Sequence, residues 1–389
     1  MLQLLLNADV FAPAPLGLKN ILIAGERIAW IGADAPTLPP AWKISVRDLR
    51  GRRVIPGLID GHAHITGGGG ESGYASRVPE VGISRFTRAG VTCTVGLLGT
   101  DDLTRTPGEV VARARALEAE GLSAFAWTGG YHLPLVTITG SVRGDIVHID
   151  KVLGVGELAI SDHRSSQPTL DEFVRIASEC HVAGLMTDKA GVLHLHVGDG
   201  TRGLELIREA LRTTELPARI FHPTHVNRRK ALFSEALDLA RAGLTIDVTA
   251  YPMRERDEGW SAAHALRAAF DSGIDPTHFT VSSDGGGCLP HFDADGRVVH
   301  MDVGDPSALA QTLRELLQSG VALERALAPF TANWARMLRL PRKGNIAIGA
   351  DADLAVLDED HRIVDVLCRG RWHVQDAKVL IHGTFEPHS

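Results

Sequence analysis

The sequence predicts an α/β protein, a TIM-like (β/α)8 barrel with a small β-sandwich domain formed from both chain termini. Three observations predict this fold class. The 389 residues exceed the about 250 that one such barrel occupies. The middle of the chain alternates apolar strands with amphipathic helices, and both ends consist of short strands separated by turn residues. We therefore expect a β-sandwich domain of residues 1–55 plus 344–389 and a barrel domain of residues 56–343.

The terminal segments have the pattern of hairpin strands. Residues 20–32 place short apolar runs on either side of a Gly-Glu turn, and residues 354–357 and 364–368 form similar runs before Gly370. Short apolar runs between turn residues are typical of strands rather than helices. Strands at both ends of a chain with a different middle indicate that the two ends pair into one β unit.

Eight strands are predicted between the terminal segments, with helices between them. The helix starts are readable, because Thr106-Pro107 places proline in a first turn and Thr169 with Glu172 has the form of a capping box. Repeated strand and helix units of this number predict a barrel. The predicted strands end near His64, Gly96, Gly129, Glu157, His196, His225, Ala250 and Asp284.

The composition argues against several classes of protein. A net charge of −7 and scattered Lys and Arg residues offer no basic surface for nucleic acid. The four cysteines form no CxxC pair, which argues against a disulfide framework and favours a reducing cytoplasm. Asn7 and Asp9 interrupt the apolar start, and no apolar run approaches the about 18 to 20 residues of a membrane helix. We expect a cytoplasmic protein that spans no membrane.

A His-x-His pair follows the first predicted barrel strand. His62 and His64 are two residues apart, so on a strand their imidazoles point to the same face. Neutral imidazole nitrogens suit Zn²⁺ and related ions, which makes the pair a candidate half of a metal site. Two ordinary polar residues at a strand end are the alternative interpretation.

Three further polar residues end the fifth, sixth and eighth predicted strands. They are His196, His225 and Asp284. Each alone is more often a structural residue than a ligand. Barrel enzymes, however, place their active sites at the carboxyl ends of the strands, and four histidines and one aspartate on a single rim favour a metal centre.

These residues lie in a pattern that resembles the amidohydrolase superfamily. The resemblance covers almost the whole chain and implies a barrel with a small β-sandwich and a site for two divalent metal ions, with Zn²⁺ as the expected ion. It rests on PGLIDGHAH at 56–64, on His196, His225 and Asp284, and on KGNIAIGADADL at 343–354.

Within that superfamily the chain resembles bacterial isoaspartyl (β-aspartyl) dipeptidases. This resemblance implies a small dipeptide substrate and a homo-oligomer. The four-glycine run lacks the Lys-Ser/Thr of a phosphate loop and ends in Glu71, so we interpret it as backbone that approaches a small ligand closely. The similar segments are GGGGE at 67–71, GLLGTD at 96–101, TGGYH at 128–132, ISDHRS at 160–165 and THVNR at 224–228.

Two positions depart from the family pattern. Isoaspartyl dipeptidases usually bridge their metals with a carboxylated lysine after the fourth strand, where this chain has Glu157. Glutamate can bridge with its own carboxylate, so we expect Glu157 to be a ligand; a mere strand-end charge is the alternative. The approach to Glu157 looks one residue longer than in the relatives, and Gly156 tolerates unusual backbone angles. Cys288 stands where the family tends to carry serine, and it is left out of the predicted site.

The resemblance assigns roles to the remaining candidates. Two metals would lower the pKa of a shared water so that hydroxide attacks the amide, and Asp284 would move its proton to the leaving amine. Tyr131 would stabilise the developing oxyanion, although packing is the alternative role. The expected substrate-binding residues are Glu71 for an α-ammonium group, Thr100, and Arg164 and Arg228 for carboxylates. Each of the three charged residues alone is more often a solvated surface residue.

Two other functions are compatible with the sequence. Another amidohydrolase, such as an N-acyl-amino-acid deacylase or a cyclic-amide hydrolase, would not need Glu71 as an ammonium-binding group. A non-catalytic scaffold on the same fold would lack metal ligands, and this sequence has a full candidate set.

Overall fold

The computed structural model describes residues 2–253, 258–292 and 297–387. The strands are β1 Leu2–Phe11, β2 Pro15–Ala24, β3 Arg27–Gly32, β4 Ile44–Asp48, β5 Arg53–Pro56, β6 Leu58–Ala63, β7 Val91–Gly96, β8 Ser123–Thr128, β9 Val152–Ile160, β10 Val192–Val197, β11 Phe221–Thr224, β12 Ile246–Thr249, β13 Phe279–Ser282, β14 Cys288–Phe292, β15 Val298–Val303, β16 Leu354–Leu357, β17 Ile363–Cys368, β18 Arg371–Gln375 and β19 Lys378–Val379. The α-helices are α1 Ile83–Arg88, α2 Pro107–Glu120, α3 Val142–His148, α4 Leu170–Thr187, α5 Glu205–Thr213, α6 Lys230–Arg241, α7 Ala262–Asp271, α8 Ser307–Gln318, α9 Leu323–Leu327 and α10 Ala332–Met337.

Strands from both ends of the chain join in one nine-stranded sheet. Its order is β19-β18-β17-β16-β5-β1-β2-β3, with β4 paired to β1. The two ends meet where β5 pairs antiparallel with β16. Apolar side chains from both ends, among them Val10, Ile23 and Val356, pack in a common core. The predicted pairing of the termini is confirmed, whereas the second layer of a β-sandwich stays a prediction.

The middle of the chain forms a curled parallel half-barrel with the strand order β11-β10-β9-β8-β7-β6. A parallel pair, β12 and β13, lies beside it, with β12 against β11 and β13 against β6. The backbone of Ala63, at the end of β6, bridges to Gly285, just after β13. The carboxyl ends of all eight strands therefore meet on one side, and the predicted α/β class is confirmed.

Sequence signals determine where the outer helices begin. Thr106 and Glu109 form a complete capping box at α2, and Thr169 and Glu172 form another at α4. The strands beneath them are buried on both faces, as every residue of β7 and β10 shows. Among the described helices, none is both long and apolar enough to cross a bilayer.

Most of the strands in the middle of the chain end within two residues of the predicted positions, but β9 does not. It continues to Ile160, so Glu157 lies inside the strand rather than at its end. The pairing of β9 with β10 shows the reason, because Val155 faces Leu193 and Leu158 faces Leu195. One strand advances three residues while the other advances two, and this bulge turns Glu157 into the barrel interior.

The backbone at Gly156, just before Glu157, is packed too closely against neighbouring residues to leave room for a side chain. Gly156 is not among the glycines with positive φ, and the peptide bond that joins it to Glu157 is cis. A Cβ atom there would lie 3.0 Å from the Trp127 ring and 3.1 Å from His194 Cβ. The bulge therefore brings the backbone so close to these two side chains that a larger residue would displace them.

Candidate metal centre and substrate pocket

One cavity of about 520 Å³ opens where the carboxyl ends of the strands meet. All but one of the predicted site residues line it, and His62 lies fully buried beside it. The predicted residues in its wall are His64, Glu71, Thr100, Tyr131, Glu157, Arg164, His196, His225, Arg228 and Asp284.

Two overlapping groups of donor atoms lie next to this cavity. One comprises His62, His64 and Asp284, and the other His62, Glu157 and His225; within each group the donor atoms are within 4.8 Å of one another. His62 Nε2 lies 3.3 Å from Asp284 Oδ1 and 3.7 Å from Glu157 Oε1. His225 Nε2 lies 3.4 Å from Glu157 Oε2. Glu157 therefore reaches towards both groups with its two oxygens.

The fourth predicted histidine is adjacent but turned differently. His196 Nδ1 lies 3.1 Å from Glu157 Oε2 and 2.7 Å from the Tyr131 hydroxyl, while its Nε2 lies 3.0 Å from Asp162 Oδ2. Both ring nitrogens thus have hydrogen-bond partners, and His196 belongs to neither donor group. Its role as a ligand stays a prediction that requires one of these hydrogen bonds to be given up.

Two of the donor residues have unusual backbone conformations. His225 and Asp284 follow β11 and β13 with φ of 62° and 53°, in the left-handed region. Residues other than glycine adopt this region at a cost, and such residues cluster at functional sites. The turn at each position brings the side chain back over the end of its strand towards the cavity.

Burial and neighbouring charges shift the pKa values of Glu157 and His62 in opposite directions. Burial disfavours the charged form of Glu157. The electrostatic attraction of His62 and His196 outweighs this effect, so the pKa of Glu157 is well below its usual range. Burial likewise disfavours protonation of His62, yet the carboxylates of Glu157 and Asp284 raise its pKa to about 9. The paired carboxylates therefore attract positive charge to this point.

The donor set fits a divalent cation. Among the described residues His62 Nε2 is buried without a hydrogen bond, although two carboxylates lie within 4 Å of it. Imidazole nitrogens and carboxylate oxygens are the ligands that Zn²⁺ prefers when thiolates are not used. A buried carboxylate pair without a compensating cation is costly, so the arrangement favours a bound metal ion.

The predicted substrate-binding residues contact one another. Glu71 Oε1 accepts hydrogen bonds from Thr100 Oγ1 at 3.0 Å and Arg164 Nη1 at 3.2 Å. Arg164 also donates from Nε and Nη2 to both oxygens of Asp162, at 3.0 and 2.8 Å. Two of its donor nitrogens therefore already bond Asp162. The predicted clamp of Arg164 on a substrate carboxylate stays a prediction that requires these bonds to be shared or given up.

Asp162 is a site residue that the sequence reasoning missed. Burial disfavours its charge, but hydrogen bonds from His196 and Arg164 outweigh burial and hold its pKa well below the usual range. It thus fixes Arg164 on one side and His196 on the other. The only signal was its place in the ISDHRS segment, two residues before Arg164.

Arg228 has more capacity for a ligand than Arg164. Its Nη1 lies 3.6 Å from Asp199 Oδ1, and its buried Nε has no hydrogen-bond partner in the described parts of the chain. A buried guanidinium donor without a partner is costly, so an anionic group of a ligand would be favoured here.

Cys288 and the glycine run also form the cavity. Cys288 lines the wall, and burial and the nearby Glu71 raise the pKa of its thiol to about 12. In the glycine run, a Cβ atom on Gly67 would lie 1.9 Å from Val78 O and one on Gly69 would lie 2.3 Å from Ser76 O. These glycines let the loop pack against itself, whereas only Gly69 of the run lines the cavity.

Comparison with protein families shows which family the chain is part of. The sequence model of the amidohydrolase family matches residues 53–373. The chain belongs to the amidohydrolase family. Within it, the chain is 43% identical to the β-aspartyl dipeptidase of Fervidobacterium islandicum AW-1, whose crystal structure contains β-Asp-Leu dipeptide. That similarity covers 99% of this chain and 100% of that one with a TM-score of 0.92, so the resemblance to isoaspartyl dipeptidases is confirmed.

Two further proteins are similar to this chain at lower sequence identity. The imidazolonepropionase of Ruegeria sp. (strain TM1040) is 26% identical over 87% of this chain and 86% of its own length. The dihydropyrimidinase of Brevibacillus agri NCHU1002 is 15% identical, covers 98% of this chain and 97% of its own, and has a TM-score of 0.70. At that identity the likeness shows a shared fold alone.

Proposed function

We propose that this amidohydrolase hydrolyses β-aspartyl dipeptides on two divalent metal ions, with Zn²⁺ as the expected ion. One observation carries the proposal. Glu71 Oε2 is buried without a hydrogen bond among the described residues, in the cavity that the donor groups also line. An unpaired carboxylate oxygen beside a metal centre suits a substrate with a free α-ammonium group. The similarity to a β-aspartyl dipeptidase supports the same substrate class.

The chain's own residues would hold the metals and move the proton. His62, His64 and Asp284 would hold one ion, His196 and His225 the other, and Glu157 both. When bound, such ions polarise the scissile carbonyl and lower the pKa of water. The neighbouring imidazoles of His62 and His64 outweigh the effect of burial on Asp284 and lower its pKa, so its carboxylate is ionised at neutral pH.

An ionised Asp284 can accept a proton from the attacking water and pass it to the leaving amine. The water oxygen forms a bond to the carbonyl carbon, the carbon–nitrogen bond breaks, and the products are aspartate and an amino acid. Burial raises the pKa of Tyr131 well above its ordinary value, so its hydroxyl stays protonated. Tyr131 can therefore donate a hydrogen bond to the oxyanion that develops in this step.

Substrate binding would use both sides of the cavity. Glu71 would accept the α-ammonium group, with Thr100 and Arg164 holding its other oxygen in place. Arg228 would bind a substrate carboxylate through Nε, which has no hydrogen-bond partner among the described residues. Arg164 would contribute positive charge from Nη1 rather than a paired fork, because Asp162 occupies its other donors.

Hydrolysis of a cyclic amide is the second candidate function. The similarity to an imidazolonepropionase over most of both chains favours it. A cyclic amide without an ammonium group leaves Glu71 nothing to bind, so this residue distinguishes the two functions.

Replacing Glu71 with glutamine is expected to lower kcat/KM for β-Asp-Leu by roughly 10- to 150-fold, because a hydrogen bond to a charged group contributes about 1.5–3 kcal/mol. N-acetyl-β-Asp-Leu should be a poor substrate for the unmodified enzyme for the same reason. Initial rates on both dipeptides measure the effect, and Ser72→Ala, at an exposed position of the same loop, is the matched control. Full activity of Glu71→Gln on β-Asp-Leu would remove Glu71 from ammonium binding, whereas turnover of a cyclic amide but not of β-Asp-Leu by the unmodified enzyme would favour the cyclic-amide function.

Several features of the architecture belong to the same proposal. The eight parallel strands would complete a closed barrel over residues 56–343, and residues 1–55 plus 344–389 would form a β-sandwich. A homo-oligomer in the cytoplasm also remains a prediction.

A further inference from the structure

A row of buried, hydrogen-bonded imidazoles, the imidazole file of His62, His194 and His222, leads away from the candidate metal centre. His62 Nδ1 lies 2.8 Å from His194 Nε2, and His194 Nδ1 lies 2.8 Å from His222 Nδ1. The three side chains are fully buried or 1% exposed, and neither His194 nor His222 lines the cavity. These two histidines have no part in the chemistry described above, and neither was predicted as a site residue.

The file continues to a buried carboxylate. His222 Nε2 lies 3.1 Å from Thr280 Oγ1, and Thr280 Oγ1 donates to Asp247 Oδ1 at 2.7 Å. Thr224 and Ser282 donate to the other oxygen of Asp247. Burial raises the pKa of Asp247 to about 6 against these hydrogen bonds. The file therefore ends at a buried carboxyl group whose two oxygens accept hydrogen bonds from three hydroxyl groups.

A metal ion on His62 would set the direction of every hydrogen bond in the file. With Nε2 of His62 coordinated, Nδ1 carries the hydrogen and must donate to His194 Nε2. His194 then donates from Nδ1 to His222, at Nδ1 or at its carbonyl oxygen 3.1 Å away. His222 in turn donates from Nε2 to Thr280, whose hydroxyl donates to Asp247. One consistent direction runs from metal ligand to carboxylate.

Two tryptophans hold the file in place. Trp127 stacks on His194 with ring centroids 5.3 Å apart, and Trp334 stands edge-on to His222 at 5.1 Å. Each indole is itself anchored, because Trp127 Nε1 donates to Gly61 O and Trp334 Nε1 donates to Val281 O. The imidazoles are thus confined between rings that are tied to β6 and β13.

We propose that His194, His222, Thr280 and Asp247 position His62 as a metal ligand by fixing its ring orientation and its tautomer. The inference rests on the proposed metal centre. Each donated hydrogen bond makes the donor ring more electron-rich, so the file also raises the basicity of His62 Nε2. Partners of this kind change metal affinity by about 10- to 100-fold when they are removed.

Thr280 gives the sharpest test because it lies two rings away from the ligand. We expect Thr280→Val to raise the dissociation constant of one bound Zn²⁺ by about tenfold when zinc is added to the folded, metal-free chain. Thr280→Ser keeps the hydroxyl, so its zinc dissociation constant should stay within about twofold of that of the unmodified chain. Thr94→Val is the matched control, since Thr94 is fully buried and its hydroxyl has no hydrogen-bond partner among the described residues. The readout is competition for Zn²⁺ with a chromophoric chelator.

A second variant and a stability measurement complete the experiment. His222 is one ring nearer to the ligand than Thr280. His222→Leu should therefore raise the dissociation constant of the same Zn²⁺ by about 10- to 100-fold. Thermal unfolding of each metal-free variant shows whether the fold is retained. If Thr280→Val lowers only the unfolding temperature and binds zinc like the unmodified chain, Thr280 is structural and the positioning role is wrong. If the unmodified chain itself binds no zinc, the proposed metal centre is wrong, and the positioning role with it.

Discussion

Replacing Asp284 with asparagine is expected to reduce kcat for β-Asp-Leu by about 10²-fold or more while metal content stays near that of the unmodified enzyme. Asparagine keeps an oxygen at the position of Oδ1, which lies 3.3 Å from His62 Nε2 and 3.1 Å from His64 Nε2. It cannot accept a proton from the attacking water. The loss should therefore appear in kcat, with KM little changed.

Steady-state kinetics and metal analysis of the same preparation measure this effect. Asp271→Asn, at an exposed position in α7, is the matched control and should leave kcat unchanged. An unchanged kcat in Asp284→Asn would remove this residue from proton transfer. A fall in kcat that matches a fall in metal content would instead mean that Asp284 acts as a ligand only.

Replacing Glu157 with glutamine is expected to remove at least one of the metal ions and to reduce kcat by a similar factor, about 10²-fold or more. Glu157 is 1% exposed, and its two oxygens lie near histidines of both donor groups. Glutamine has nearly the same shape but lacks the negative charge that would lie between two cations. Its amide nitrogen would also point a donor at the metals.

Metal analysis of the purified variant measures the loss, and the reconstitution of metal-free enzyme supplies the control. A glutamate needs no carbon dioxide to become a bridging carboxylate. Activity should therefore return with Zn²⁺ equally well in bicarbonate-free and bicarbonate-supplemented buffer. Recovery that depends on bicarbonate, or a Glu157→Gln variant with both metals and full rate, would mean that another residue bridges the site.

The positions of the donor residues could be predicted because strand ends are local features of the sequence. The ends of β6, β11 and β13 can be read from the sequence. His64 and His225 come directly after β6 and β11, and Asp284 comes two residues after the end of β13. In a parallel sheet such ends meet on one side, so the gathering of these residues follows without knowledge of any contact. The pairing of the two termini follows similarly from their shared strand pattern.

Contacts between side chains far apart in the sequence could not be predicted in this way. The hydrogen bonds that Asp162 accepts from Arg164 and His196 depend on rotamers, and they engage groups whose predicted roles were in ligand binding. His194 was visible beside His196, but its link to His222 depends on the register of β10 with β11. The bulge in β9 likewise depends on its pairing with β10, which is why Glu157 was placed at the strand end.

The measurement that tests the proposed function most directly is a comparison of β-Asp-Leu with α-Asp-Leu, with metal analysis of the same sample. We expect the β-linked dipeptide to be cleaved to aspartate and leucine by enzyme that holds about two metal ions per chain. The α-linked dipeptide should remain intact, because its ammonium group is one carbon nearer to the scissile carbonyl than in the β-linked dipeptide and is not expected to meet Glu71. Equal cleavage of both dipeptides, or a fully metal-loaded enzyme that leaves β-Asp-Leu intact, would contradict the proposal.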